Sequence, residues 1–116
     1  TQKRFSAQPS SVARARRFAV RDIDDIELAS RVATVVSELA TNALRHAKSA
    51  FLLEVRREDS HIRVAVTDIS SDPPRQSVRA KGDPTGRGLM IVEALADRWG
   101  FHPDGVGKVV WAELDT

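Results

Sequence analysis

The sequence predicts an α/β (α+β) fold: a two-layer sandwich in which a mixed, mostly antiparallel sheet is covered on one face by helices. Three observations predict it. The hydrophobic period changes along the chain in the order strand, helix, helix, strand, strand, loop, helix, strand, strand. Hairpin turns join strands at two places, through Glu58, Asp59 and Ser60 and through "DGVG". The chain has 116 residues, enough for one domain with a real core and too few for two, so residues 1–116 read as a single domain.

Each element has its own signal. "KRFSA" reads as a short edge strand. "PSSVARARRFAV" follows as a helix, with Pro9 and Ser10 as start signals and Val12, Ala15, Phe18 and Ala19 at helical spacing. "RDIDDIE" is an acidic turn into a long helix over roughly 26–47. "AFLLEVRRE" is half alternating and "HIRVAVTDI" alternates cleanly, as half-buried strands do. "RGLMIVEALADRWG" reads as a second core helix stopped by Gly100. "RWGFHP" and "KVVWAEL" form the closing hairpin. Between the second hairpin strand and this last helix lies "SSDPPRQSVRAKGDPTG", residues 70–86, with three prolines and two glycines. So long a loop in so small a domain is more often functional than not.

Composition excludes several classes of function. Hydrophobic residues make up 41%, which fits a globular domain rather than a disordered one. Without cysteine there are no disulfides or thiolate metal sites. No run of 18 apolar residues exists to span a membrane. "TQKRFSAQPS" lacks the apolar core of a signal peptide, and none is expected. Net charge is +2, unevenly spread. Residues 1–21 carry six basic side chains and no acid, while the rest carry 12 basic and 16 acidic ones. A basic segment can bind nucleic acid or an acidic partner, but no aromatic stacking platform accompanies it, and a solvated helix face explains it as well.

Three stretches do not read as plain structure. In the long helix, Leu28, Val32, Val35, Val36, Leu39 and Ala43 form an apolar arc about 100° wide. Asn42 and His46 fall at or within its edge and Glu38 just beyond it, so a polar row borders the packed face. Ser37, Thr41 and Lys48 lie on the far side, where solvent is expected. A carboxylate beside a core is costly unless a partner or a pocket satisfies it. The second stretch is "TGRGLMIV", residues 85–92, in which Gly86 and Gly88 open a helix after the long loop. Helix N-terminal amides bind phosphate, and glycines let it approach. The pattern is neither a Rossmann nor a Walker motif. The third is "VAVTDIS", where a strand ends on Asp68. Such an acid can begin a turn, or it can accept a hydrogen bond from a ligand base entering beside the sheet.

Glu-x-x-x-Asn on a helix, Asp at a strand's end and Gly-x-Gly after a long loop together resemble the Bergerat ATP-binding fold of the GHKL group, shared by histidine kinases, gyrase and MutL. "VVSELATNALRHA" is most similar to anti-sigma-factor serine/threonine kinases, and "GRGLMIVEALADRWG" with "GKVVWAEL" to their small actinobacterial relatives. The resemblance implies ATP and Mg2+ as cofactors. It implies that Glu38 is the general base, that Asn42 is the magnesium ligand and that Asp68 accepts the adenine amino group. Thr85, Gly86, Arg87, Gly88 and Leu89 would belong to the phosphate loop, and the 17-residue loop would be the ATP lid. It further implies a cytoplasmic protein kinase that binds a sigma factor and phosphorylates a serine on an anti-sigma-factor antagonist. Neither nucleic acid nor membrane is an expected partner, and a homodimer is allowed. Two rivals stand beside this reading. One is a nucleotide-binding regulatory domain without kinase activity, acting by protein–protein binding; the other is a nucleic-acid-binding domain using the N-terminal arginines. The sequence departs from the family in three places. Ile69, Ser70, Ser71 and Asp72 follow Asp68 where the family has x-Gly-x-Gly. Pro84 stands where anti-sigma kinases often carry a basic residue for the γ-phosphate, leaving Lys81 or Arg87 to substitute. Gly107, Lys108 and Val109 stand where the family has Gly-Thr and a strand.

Overall fold

The computed structural model describes residues 1–46, 48–69, 84–105 and 107–116, with the backbone alone for 46 and 84–88. The loop expected over 70–86 therefore lies, up to 83, outside the described residues. Among the described residues, five strands and three helices follow one another as β1 (Gln2–Phe5), α1 (Ser10–Val20), α2 (Ile26–His46), β2 (Phe51–Arg57), β3 (His61–Asp68), α3 (Pro84–Leu95), β4 (Arg98–Asp104) and β5 (Gly107–Asp115). The sheet order is β1-β2-β3-β5-β4. Every pairing within it is antiparallel, so the sheet is not mixed.

Alternation decides which sheet face is covered. On β3, Ile62, Val64 and Val66 point to one side, as do Val110, Ala112 and Leu114 on β5, and all six are buried. They meet Val32, Val35, Val36, Leu39 and Ala43 of α2, which are also buried. α1 adds Ala15 and Ala19, and the Phe5 ring stacks on Phe51 with centroids 5.5 Å apart. The opposite sheet face is polar. There Glu113 accepts from Arg98 at 2.8 Å and from Arg63 at 3.1 Å, and the Arg98 guanidinium holds the Glu113 carboxyl below its ordinary range. Among the described residues, no helix is long and apolar enough to cross a membrane.

Local chemistry sets the helix limits. Asp25 Oδ1 accepts from the Leu28 amide at 3.0 Å and so caps the start of α2. Beyond His46, Lys48 adopts φ 52° and its amide closes back on the Ala43 carbonyl at 3.3 Å, a left-handed helix stop. The far side of α2 is not all solvent. Arg16 of α1 donates to Ser37 Oγ at 3.2 Å, and Ser37 and Thr41 are half-buried. Other basic side chains of the N-terminal segment are likewise engaged within the fold. Arg14 donates to Ser11, and Arg21 lies 4.3 Å from the Phe18 ring centroid.

The third helix differs most from its sequence reading. It begins at Pro84, a residue suited to the first helical position, and ends at Leu95 rather than at Gly100. Strand pairing wins there. The Asp97 amide donates to the Glu113 carbonyl at 2.9 Å, and Arg98 to Asp104 pair with β5. Gly100 serves as a flat place on the sheet instead of a helix stop. A Cβ there would meet the Trp111 ring at 2.9 Å.

Leu39 is 1% exposed at the centre of this core. Leu39→Ala should lower the unfolding free energy by about 2–5 kcal/mol, read from urea unfolding. A loss under about 1 kcal/mol would show that α2 does not anchor the core.

Candidate functional site

Topology gathers the three marked stretches at one end of the molecule. β2 starts just after α2 ends, and Phe51 lies beside the C-terminal end of β3, where Leu52 pairs with Thr67. The C-terminal half of α2 therefore shares the sheet end that carries Asp68. α3 comes back toward the same end. Arg31, near the start of α2, donates to the Leu95 carbonyl at the end of α3 at 3.0 Å. The two helices pack together, and β4, which follows α3, starts opposite Glu113 at the far end of the sheet. At about 1.5 Å rise per residue, Glu38 lies about 10 Å along α2 from Arg31, and Gly88 about 10 Å back along α3 from Leu95. The polar row of α2 thus runs level with the first turns of α3.

Asn42 is 8% exposed, and its Oδ1 is buried with no hydrogen-bond partner among the described residues. An orphaned buried carbonyl costs about 1–3 kcal/mol, so it marks a position where a donor or a cation would be gained. Glu38 lies one turn earlier and is half-buried. Burial pushes its carboxyl above the ordinary glutamate value, opposed in smaller measure by the charge of Arg45. The side chain of His46, the third member of the row, lies outside the described residues.

Thr85, Gly86, Arg87 and Gly88 all fall within the first turns of α3. Pro84 has no N–H, so the first-turn amides without a partner inside the helix include those of Thr85 and Gly86. Gly88 sits one turn in, and Leu89, 2% exposed, turns into the protein and anchors the helix start. Among the described residues no group of three or more acidic, histidine or cysteine side chains could hold a metal. One amide carbonyl is nevertheless a suitable protein ligand for Mg2+, which otherwise keeps waters and phosphate oxygens. The donor set fits a magnesium-bound phosphate group, with Asn42 on one side and the α3 amides on the other.

Asp68 is buried at 5% exposure and engaged. Lys108 Nζ donates to both carboxylate oxygens, at 3.2 Å and 3.1 Å, and Lys108 is itself 3% exposed. Sequence reasoning missed this lysine, treating it only as the absence of the family's threonine. The signal was in the alternation of "GKVVWAEL": Lys108 occupies the same phase as Val110, Ala112 and Leu114, the phase that faces the core. Gly107 makes the approach of the two strands possible. A Cβ there would fall 1.8 Å from the Asp68 carbonyl oxygen. Two clefts, of about 50 Å3 between Thr1, Phe18 and Ile62 and about 270 Å3 between Asp25, Arg31 and Thr116, open toward the opposite end of the sheet and contain none of these residues.

Breaking a buried pair from one side strands a charge. Lys108→Met should therefore cost about 3–5 kcal/mol of stability, and Asp68→Asn combined with Lys108→Met should recover most of it. Denaturant unfolding of the three proteins checks this; additive losses would mean the two side chains are not coupled. Glu38 makes a second, pH-dependent prediction. Its folded-state pKa is raised, so its ionisation opposes folding above the ordinary glutamate range and ceases to do so below it. Glu38→Gln should be more stable than wild type at pH 7, with the gain shrinking as pH falls through about 4.5. A gain that does not change with pH would remove desolvation as the cause.

The model of the histidine kinase-like ATPase domain matches residues 5–114. The catalytic domain of the histidine kinase ThkA, solved in a nucleotide-free form, has the same fold, with a TM-score of 0.60 at 15% identity over 99% of this chain and 95% of that one. Among curated proteins none matches the sequence.

Proposed function

The chain belongs to the histidine kinase-like ATPase domain family, and from that premise we propose that it binds ATP with Mg2+ and acts as a protein serine/threonine kinase of the anti-sigma-factor type. The observation that carries the reading is the buried Asn42 carbonyl with no partner among the described residues, one helical turn from the half-buried Glu38. In this reading Asn42 Oδ1 ligates the metal, and the α3 amides and Arg87 receive the phosphates. When bound, Mg2+ neutralises the charge that accumulates on the phosphate oxygens during transfer.

Glu38 is the general base. Its carboxylate takes the proton of a serine hydroxyl on the acceptor protein as that oxygen bonds to the γ-phosphorus. The bond from phosphorus to the bridging oxygen breaks, and ADP leaves with the electron pair. Desolvation, which raises the Glu38 pKa, also makes it a stronger base at neutral pH. The acceptor is an anti-sigma-factor antagonist, and a sigma factor is the second partner. A domain that binds nucleotide without phosphoryl transfer would share the pocket and differ in turnover, so the test separates the two.

Asn42→Ala should abolish the strengthening of ATP binding by Mg2+, measured by calorimetry. Glu38→Gln should keep ATP affinity within roughly tenfold and slow single-turnover transfer to a serine of the antagonist by about 10²–10⁴-fold. Transfer at the wild-type rate by Glu38→Gln would sink the kinase mechanism and leave nucleotide binding standing.

A further inference from the structure

β1 stands at one end of the sheet order, so one of its edges has no strand beside it. The register fixes which backbone groups lie on that edge. The Val55 amide donates to the Thr1 carbonyl at 2.8 Å, and the Thr1 nitrogen donates to the Val55 carbonyl at 3.1 Å. Bonded pairs alternate along an antiparallel ladder, so Lys3 with Leu53 and Phe5 with Phe51 are the next bonded pairs. The amides and carbonyls of Gln2 and Arg4 therefore point away from the sheet. We propose that this edge, with the basic flank of α1 beside it, takes up an extended acidic segment of a partner protein as an added strand.

Charge decides what kind of strand fits. Phe18 of α1 meets Phe5 of β1 edge-on, with centroids 6.1 Å apart. At about 100° per residue, Phe18, Arg14, Arg21 and Arg17 follow one another around α1. Arg16, on the other flank, bonds to Ser37 of α2. The flank with Arg14, Arg17 and Arg21 therefore faces away from α2, beside the free edge of β1. Lys3 and Arg57 project on the same side of the sheet. The Lys3 Nζ lies 5.6 Å from the Phe5 ring centroid, and Arg57 donates to the Asp22 carbonyl. All five cations are exposed, and Asp22, 3.7 Å from Arg21, is the acid set among them. Arg14 is held by Ser11 and Arg21 by the Phe18 ring, which lowers the cost of ordering them on binding.

The same observations weigh against two other occupants. A nucleic acid brings acceptors on its phosphates and would leave the outward carbonyls of Gln2 and Arg4 unpaired. Phe18 lies between Lys3 and Arg21 and is not an open stacking platform. A second copy, paired edge to edge, would set these cations against their own images. An acidic strand meets both the backbone and the charge.

Fluorescence anisotropy on the full chain tests this with two labelled octapeptides, one alternating Glu and Val and one alternating Lys and Val. The acidic peptide should bind more tightly at low salt and lose affinity as salt rises. Its binding should protect residues 2–5 from hydrogen exchange. Arg17→Glu should weaken it by roughly 2–30-fold, as an attraction becomes a repulsion. Gln2→Pro removes an outward amide and no charge, and should weaken it by roughly 2–12-fold, the net loss of one hydrogen bond. An acidic peptide that binds no tighter than the lysine peptide overturns the proposal even if neither variant folds, and leaves cations that only guard an edge. Binding without protection of residues 2–5 overturns the strand pairing. Tighter binding of oligothymidylate at the same salt overturns the proposal in favour of nucleic acid. Protection of residues 2–5 that rises with protein concentration in the absence of peptide overturns it in favour of a second copy. None of these measurements uses nucleotide, so their outcome leaves the ATP-binding reading where it stands.

Discussion

The burial of one stripe of α2 is the constraint on which the rest of the molecule depends. Val32, Val35, Val36, Leu39 and Ala43 are at most 1% exposed, and α2 touches α1, α3, β2, β3 and β5. Each valine or leucine side chain so buried is worth roughly 1.5–3 kcal/mol. Turning the helix by one residue, about 100°, would lift most of that stripe out of the core. The sum exceeds the cost of one orphaned amide carbonyl by several-fold. The stripe therefore dictates where Glu38 and Asn42 project, and they project on the flank nearest α3 whether or not that suits them.

That compulsion explains the local conflicts. A half-buried glutamate with a raised pKa and a buried carbonyl with no described partner are both unfavourable for an empty helix flank. Departures from local consistency of this kind collect where a protein does chemistry. Their cost is small beside the core that imposes them, which is why the fold can carry them.

The Lys108–Asp68 pair is a different case, because it is internally satisfied. Buried ion pairs are rarely better for stability than apolar side chains of the same size. In a sheet whose other core-facing positions on β5 are Val110, Ala112 and Leu114, a lysine is not what packing alone would select.

How much of this was legible in the sequence divides along physical lines. Period-2 and period-3.6 patterns depend on which face of an element is buried, and burial is written in residue type. The five strands, the two hairpins, the apolar stripe of α2 and the polar row beside it could therefore be read directly, and Glu38, Asn42 and Asp68 could be picked out as misfits. Where one segment satisfied two patterns, only pairing could choose. Residues 98–100 continue a helical period and also begin a strand, and the hydrogen bonds of β5 decided for the strand. The ion pair was beyond reach for the same reason. Lys108 and Asp68 are 40 residues apart, and only the β3–β5 register sets them face to face. Sequence alone determined which residues were out of place in a core; tertiary structure decided which of them met, because strand register and helix direction are set by contacts between distant segments.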